Sequence, residues 1–268
     1  MSMRIVTAVA LLGAAGVMSG CNIQQPSAGC QVQDGVWQAQ YILKNPAADE
    51  GKSCGKLKGE ALGAFKYVKY NETGRPAYMG LRPQTAAELA VYYDAEGMPQ
   101  PRVVLNPPAD PSSSTDPTGA LRAANQATSL STSYTTQPDA NGLCQATGFA
   151  PITVAAQAAT DGDDNALPAE TVSYTFSDIN VYSAAAAPGT QLEGTLVFGD
   201  GTGCTAEYRV LALWPQAPCD ANEDCGAEAG LNPDFDAVCV AGIGPVDSKG
   251  KVHGGCVPNP AKGVPAFK

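Results

Sequence analysis

The chain opens on a segment that decides where it folds and therefore what its cysteines can do. Arg4 is followed by an apolar run of fourteen residues, Ile5 to Met18, and then by the small pair Ser19-Gly20. A charged start, a short apolar centre and small residues before a cleavage point form the layout of an export signal. At 1.5 Å per helical residue the run is too short to cross a hydrocarbon layer of about 30 Å comfortably. A chain exported in this way folds under oxidising conditions, where cysteines pair as disulfides.

The four residues ending the leader, Met18-Ser19-Gly20-Cys21, resemble the lipobox of bacterial lipoproteins, with methionine where that family usually has leucine. The resemblance implies removal of residues 1–20 as a signal peptide and attachment of lipid to the sulfur and the new amine of Cys21. It further implies a protein of the bacterial envelope held to the membrane through that lipid. Asn22 stands where aspartate tends to retain members of the family at the inner membrane, so the expected location is the outer membrane, facing the periplasm or the cell surface. Residues 21–29 are short and polar and read as a tether.

Cysteine arithmetic agrees. The chain has nine cysteines. With Cys21 assigned to lipid, an even set remains: Cys30, Cys54, Cys144, Cys204, Cys219, Cys225, Cys239 and Cys256. Cysteines in even number in an exported chain form a disulfide framework whose connectivity the sequence leaves open. Position along the chain suggests Cys30–Cys54 and Cys144–Cys204, each at strand starts. For the tail we expect Cys219–Cys239 and Cys225–Cys256.

The chain carries 16 basic and 26 acidic residues, a net charge of −10. Its densest basic stretch, Lys52 to Lys69, is interrupted by glycine and apolar residues. Nucleic-acid binding needs a positive face to neutralise phosphates, and is not expected.

Between residues 30 and 216 the dominant signal is alternation with period two, the mark of a strand with one face buried. Trp37, Ala39, Tyr41 and Leu43 share one face. A second run places Leu57, Ala61, Phe65 and Tyr67 on one side together with Gly59 and Gly63. Further strands are expected at Arg102–Leu105, Ser129–Thr136, Leu143–Phe149 and Ile152–Ala158. In the next strand Val172, Tyr174 and Phe176 alternate before Ile179 and Val181 shift phase, which points to a β-bulge near Ser177-Asp178. Leu192, Leu196 and Phe198 follow, and then Ala206, Tyr208, Val210, Ala212 and Trp214. Thr85-Ala86-Ala87-Glu88 has the spacing of a capping box and predicts one short helix. Residues 106–118, with four prolines and three serines, predict a solvated loop. The fold class expected is therefore mainly β: an antiparallel sandwich or barrel-like domain with one short helix. Residues 217–268 add a small disulfide-rich C-terminal segment, since so short a stretch has little core and needs staples. The spacing of its four cysteines resembles the compact cysteine-rich tails of Gram-negative surface proteins.

Few residues suggest chemistry. Gaps of five, thirteen and sixteen between the late cysteines do not match the close pairs of structural zinc sites. Asp161, Asp163 and Asp164, and more so Asp220, Asn222 and Asp224, place oxygens at the alternate positions of a calcium loop. Leu231, however, stands where a closing glutamate belongs. The lone histidine, His253, has no nucleophile elbow to serve and reads as an exposed surface residue. Trp37, Tyr41, Tyr92, Tyr93, Tyr208 and Trp214 could stack on sugars, but most lie on the apolar phase of strands and read as core. The sequence thus suggests a binding, adhesion or structural role without a catalytic site, toward an envelope protein or polysaccharide. Two other readings stand beside it: a hydrolase using a carboxylate pair on polysaccharide, and a calcium-stabilised adhesion module.

Overall fold

The computed structural model describes residues 29–185 and 187–268. The signal, Cys21 and the tether before Gly29 lie outside the described residues. The strands are, in chain order, β1 Gly35–Leu43, β2 Gly59–Val68, β3 Ala77–Pro83, β4 Val91–Tyr93, β5 Pro99–Pro101, β6 Ser129–Leu130, β7 Ser133–Tyr134, β8 Leu143–Thr147 and β9 Ile152–Ala156. They continue with β10 Ala159–Thr160, β11 Ala166–Leu167, β12 Glu170–Ala184, β13 Ala187–Gly199, β14 Thr205–Leu213, β15 Pro218–Cys219, β16 Ala237–Val240 and β17 Gly254–Pro258.

The main sheet runs β13-β14-β1-β2-β3-β7-β8-β12, and β12 pairs again with β13, so the sheet closes on itself. Two positions in the ring are broken strands. Both β6 and β7 pair with β3, and both β8 and β9 pair with β12. Counting each broken strand once, neighbours in the chain are neighbours in the ring: an antiparallel up-and-down barrel. Closure removes the free edges that an open sheet exposes. A barrel of this size has an interior that side chains can fill.

They fill it with the expected alternation in most strands. Trp37, Ala39 and Tyr41, then Val172, Tyr174 and Phe176, and Ala206, Tyr208, Val210 and Ala212 are all buried in one core. The phase shift in β12 is a register irregularity between Ser177 and Asn180, with Asp178 at φ 52°. At this bulge β12 changes partner, pairing with β9 before it and β8 after it. Gly194 opposite is required: a Cβ there would lie 2.3 Å from Ile179 Cδ1.

The second strand reverses the expected face. The inward set of β2 is Glu60, Leu62 and Ala64, all buried, whereas Phe65 and Tyr67 lie on the outside. The outward rings cover glycines rather than entering the core. A Cβ at Gly63 would meet Phe65, and one at Gly80 would meet Tyr67, each at 2.9 Å.

Among the described residues three short α-helices form, not one: α1 Pro46–Asp49, α2 Gln84–Leu89 and α3 Ala120–Asn125. No strand forms at Arg102–Leu105. Arg102 instead turns its guanidinium onto the carbonyls of Gln157 and Pro168. Residues 106–118 contain neither helix nor strand.

Two of the four expected disulfides are different. The bridges are Cys30–Cys144 and Cys54–Cys204, with Cα separations of 5.6 Å each, in place of Cys30–Cys54 and Cys144–Cys204. Closure of the barrel explains the exchange. It brings the chain before β1 against β8, and the approach to β2 against the start of β14. The two bridges therefore tie opposite ends of the barrel. In the tail the pairs are Cys219–Cys239 and Cys225–Cys256, the pairs expected there.

The tail folds as a small sheet, β15-β17-β16, against the outer side of β1 and β14. Leu213 enters a second apolar cluster there with Leu231, Phe235 and the tail cysteines. Two buried amides fasten the seam. Gln38 donates to Ile243 O at 2.6 Å. Gln191 donates to Ala266 O and accepts from its N–H.

Candidate binding groove

The helix α2 follows β3 without a linker and covers one end of the barrel. Its expected capping box does not form: Pro83 is the N-cap, and Thr85 and Glu88 fall inside the helix. The Thr85 N–H, which a capping side chain would normally take, donates instead to Glu60 Oε2 at 2.7 Å. Glu60 Oε1 accepts from the Tyr41 hydroxyl at 3.1 Å. A carboxyl from the barrel interior thus caps the helix that closes the barrel. Burial raises the Glu60 pKa, against the opposing pull of its hydrogen bonds from Thr85 and Tyr41. The Tyr41 and Tyr174 hydroxyls are raised by burial too, with the Glu60 charge adding to it. Glu60 was missed in the sequence, although it sits at the phase of Leu62 and Ala64 and could have been recognised as an inward carboxyl.

Three depressions meet around α2, all sharing Glu88. The first, about 440 Å³, lies over Glu60 between Gln84, Thr85 and the tail segment from Gly242 to Val246. A second, about 590 Å³, is polar and is walled by Tyr92, Tyr93, Asp94, Arg102 and Asp161. The third, about 760 Å³, is more apolar, with Ala87, Val91, Tyr93, Pro99 and Leu121. Tyr92 and Tyr93 belong to β4. Adjacent strand residues face opposite ways, and Tyr93 is 64% exposed between the second and third depressions.

The carboxylates here serve the backbone. Asp94 accepts from the Met98 N–H and the Gln100 amide, which hold it below the usual carboxyl range. Asp161 accepts from Asn165 and from the Asp163 N–H with the same effect. The second calcium candidate is arranged this way as well. Asp224 accepts the N–H groups of Asp220 and Ala221, Asn222 accepts from Cys239, and Asp220 faces Lys251. Their oxygens point at separate donors and are not gathered on one point. Lys251 and then His253 lower the Asp220 pKa. His253 is not the exposed residue expected. Its ring is half-buried between Asp220 and Asp247, at 3.3 and 3.4 Å. Trp37, Tyr41 and Tyr208 are core residues, and Trp214 packs against that core.

The family model described as MlpA matches residues 35–215. The chain belongs to the MlpA family. A Myxococcus xanthus protein named "Putative lipoprotein MlpA" is 36% identical over 271 residues, covering 98% of this chain and 97% of its own length. No solved structure matches. The MlpA match spans the barrel and α2 and stops one residue short of Gln216, where the tail begins to wall the first depression.

Proposed function

We propose that this member of the MlpA family is a lipid-anchored envelope protein, attached at Cys21 to the outer membrane, that binds an envelope polysaccharide or protein in the groove around α2 without transforming it. One observation carries the reading. The chain comes in from the tether beside Lys66, near the turn of the β2–β3 hairpin, while α2 and the groove lie at the hairpin's other end. A ten-residue strand of about 3.3 Å per residue separates the two ends by roughly 30 Å. An anchored barrel so built holds its groove away from its point of attachment.

Binding is favoured over carboxylate hydrolysis by the state of the acidic groups. A glycosidase needs a protonated carboxyl and a charged one flanking an open substrate site. The carboxyl held above its usual range, Glu60, has both oxygens engaged beneath α2.

The test has two parts. Intact mass of protein taken from its native membrane reads the state of Cys21, and an unmodified Cys21 would refute the anchor. Purified protein is then mixed with envelope polysaccharide and peptidoglycan fragments, and both the melting shift and new reducing ends are read. A shift that Glu88→Arg abolishes, with no new ends, supports the binding reading. New ends that disappear in Glu60→Gln would replace it with the hydrolase.

A further inference from the structure

The outer face of the β2–β3 hairpin stands apart from the rest of this acidic chain. Tyr67 and Tyr78 are paired across the strands, and Phe65 lies opposite Gly80. The Phe65 and Tyr67 rings lie down over Gly63 and Gly80. Leu130 of β6, opposite Gly80, continues the row. These side chains are open to solvent: Tyr67 is 48% exposed, Tyr70 at the turn 73%, and Leu130 44%. Cations are set among the rings. Lys69 Nζ is 4.9 Å from the centre of Tyr78, Arg75 Cζ 5.9 Å from Tyr70, and Arg82 Cζ 5.3 Å from Phe65. Between Lys66 and Arg82 there are four basic residues and one acid, Glu72, which pairs with Lys69 at 2.9 Å.

We propose that the turn end of this face, with Tyr67, Tyr70, Tyr78, Lys69 and Arg75, rests on the anionic surface of the lipid bilayer. Three features select that occupant. Tyrosines flanked by lysine and arginine suit the boundary between headgroup and acyl chain, where a ring buries its body and a cation meets phosphate. The cluster is positive in a chain of net charge −10, so attraction to anionic lipid draws this face inward and turns the rest away. The third feature is position. Cys30, two residues from the first chain outside the described part, has its carbonyl bound by Lys66 of the same hairpin. Eight residue steps separate Cys21 from Gly29. At about 3.5 Å each they reach at most roughly 28 Å.

The third feature rests on the lipid at Cys21 proposed above; the first two do not. The test is therefore made on a chain that lacks the Cys21 anchor. A chain starting at residue 22 is exported behind an ordinary cleavable leader and keeps every residue of the barrel and tail. It is sedimented with vesicles of phosphatidylcholine alone, or with about one-third phosphatidylglycerol. We expect binding to the anionic vesicles only, weakened by salt. Lys69→Glu with Arg75→Glu should reduce it at least ~10-fold, since each basic residue at such a surface contributes about 5-fold. Tyr67→Ser with Tyr70→Ser should reduce it as well, whereas Lys249→Glu with Lys262→Glu, on the tail, should not. Absence of binding to anionic vesicles, equal binding to both kinds, or equal loss in the tail variant would overturn the proposal. Tighter binding to polygalacturonate than to vesicles would also overturn it, assigning the face to an acidic glycan. If Cys21 proves unmodified in native membranes while the hairpin still binds, the anchor fails and this surface stands.

Discussion

Replacement of Glu60 gives a two-sided test of the capped barrel end. In the folded protein burial raises its pKa, so the folded state holds this proton more tightly than the unfolded chain. Below the ordinary carboxyl value both states are protonated and the group has no pH-dependent effect. As pH rises from about 4.3 toward the raised folded value, the unfolded chain releases its proton first and stability falls. Above the folded value the loss is constant. Every tenfold difference in proton affinity between the two states corresponds to about 1.4 kcal/mol. Glu60→Gln keeps the shape and removes the titration, so it should gain on the wild type from about pH 4 upward until the raised folded value is passed. Glu60→Leu leaves the Thr85 N–H and the Tyr41 hydroxyl without their acceptor. Two buried unmade hydrogen bonds cost about 1–3 kcal/mol each, giving roughly 2–6 kcal/mol, partly offset because no carboxyl is desolvated. Urea unfolding at several pH values, with disulfides intact, measures both variants. A Gln-minus-wild-type difference that stays flat with pH would refute the burial argument. A Leu variant as stable as the wild type would refute the cap.

Other expectations follow from the bridges, the seam and the bulge. Cys54→Ala with Cys204→Ala opens a link between residues 150 apart and should cost about 5 kcal/mol, against about 3.7 kcal/mol for Cys225→Ala with Cys256→Ala across 31. Chemical denaturation gives the order, and the reverse order would contradict the pairing. Gln191→Leu strips Ala266 N–H of its buried acceptor and should cost about 1–3 kcal/mol. Hydrogen exchange should then rise near Ala266 while the barrel amides stay protected. Gly194→Ala forces a methyl against Ile179 and should cost about 1–3 kcal/mol by thermal unfolding. Excess chelator should leave the melting temperature unchanged, since the Asp220, Asn222 and Asp224 oxygens already face protein donors.

What the sequence disclosed depended on the range of the interaction behind it. Alternation in β1, β12 and β14 is local, so Trp37, Tyr174 and Tyr208 were legible as core. The bulge at Asp178 was legible because it shifts the phase within a single strand. In β2 the rule failed, because the strand presents Glu60 to the interior and aromatic rings to the outside. That choice is made by partners remote in sequence: the Thr85 N–H for the carboxyl, and Gly80 of the next strand for the Tyr67 ring. The barrel bridges were misread for the same reason. Sequence neighbourhood favours Cys30–Cys54, but ring closure sets each beside a strand more than a hundred residues away. In the tail the expected pairs form, across separations of 20 and 31 residues.

The groove draws its walls from two parts of the chain held together differently. The floor and α2 belong to the barrel, within the segment that the MlpA family model matches, and their geometry is fixed by strand register and by Glu60. The opposite wall of the first depression, from Gly242 to Val246, lies beyond that segment. Its attachment to the barrel nearby is the Gln38 bond to Ile243 O, with Gln216 in turn donating to Gln38. A change at the exposed Val246 alters what the first depression accepts without disturbing any strand of the ring. A change at Glu60 or Thr85 loosens the barrel end itself. Selectivity for a ligand is therefore separable from stability on one side of the groove and inseparable on the other. Val246→Arg should accordingly abolish binding in the first depression with unfolding unchanged, whereas Glu60→Leu should lower both together. Loss of stability in Val246→Arg matching that of Glu60→Leu would show that the tail wall is part of the barrel's support.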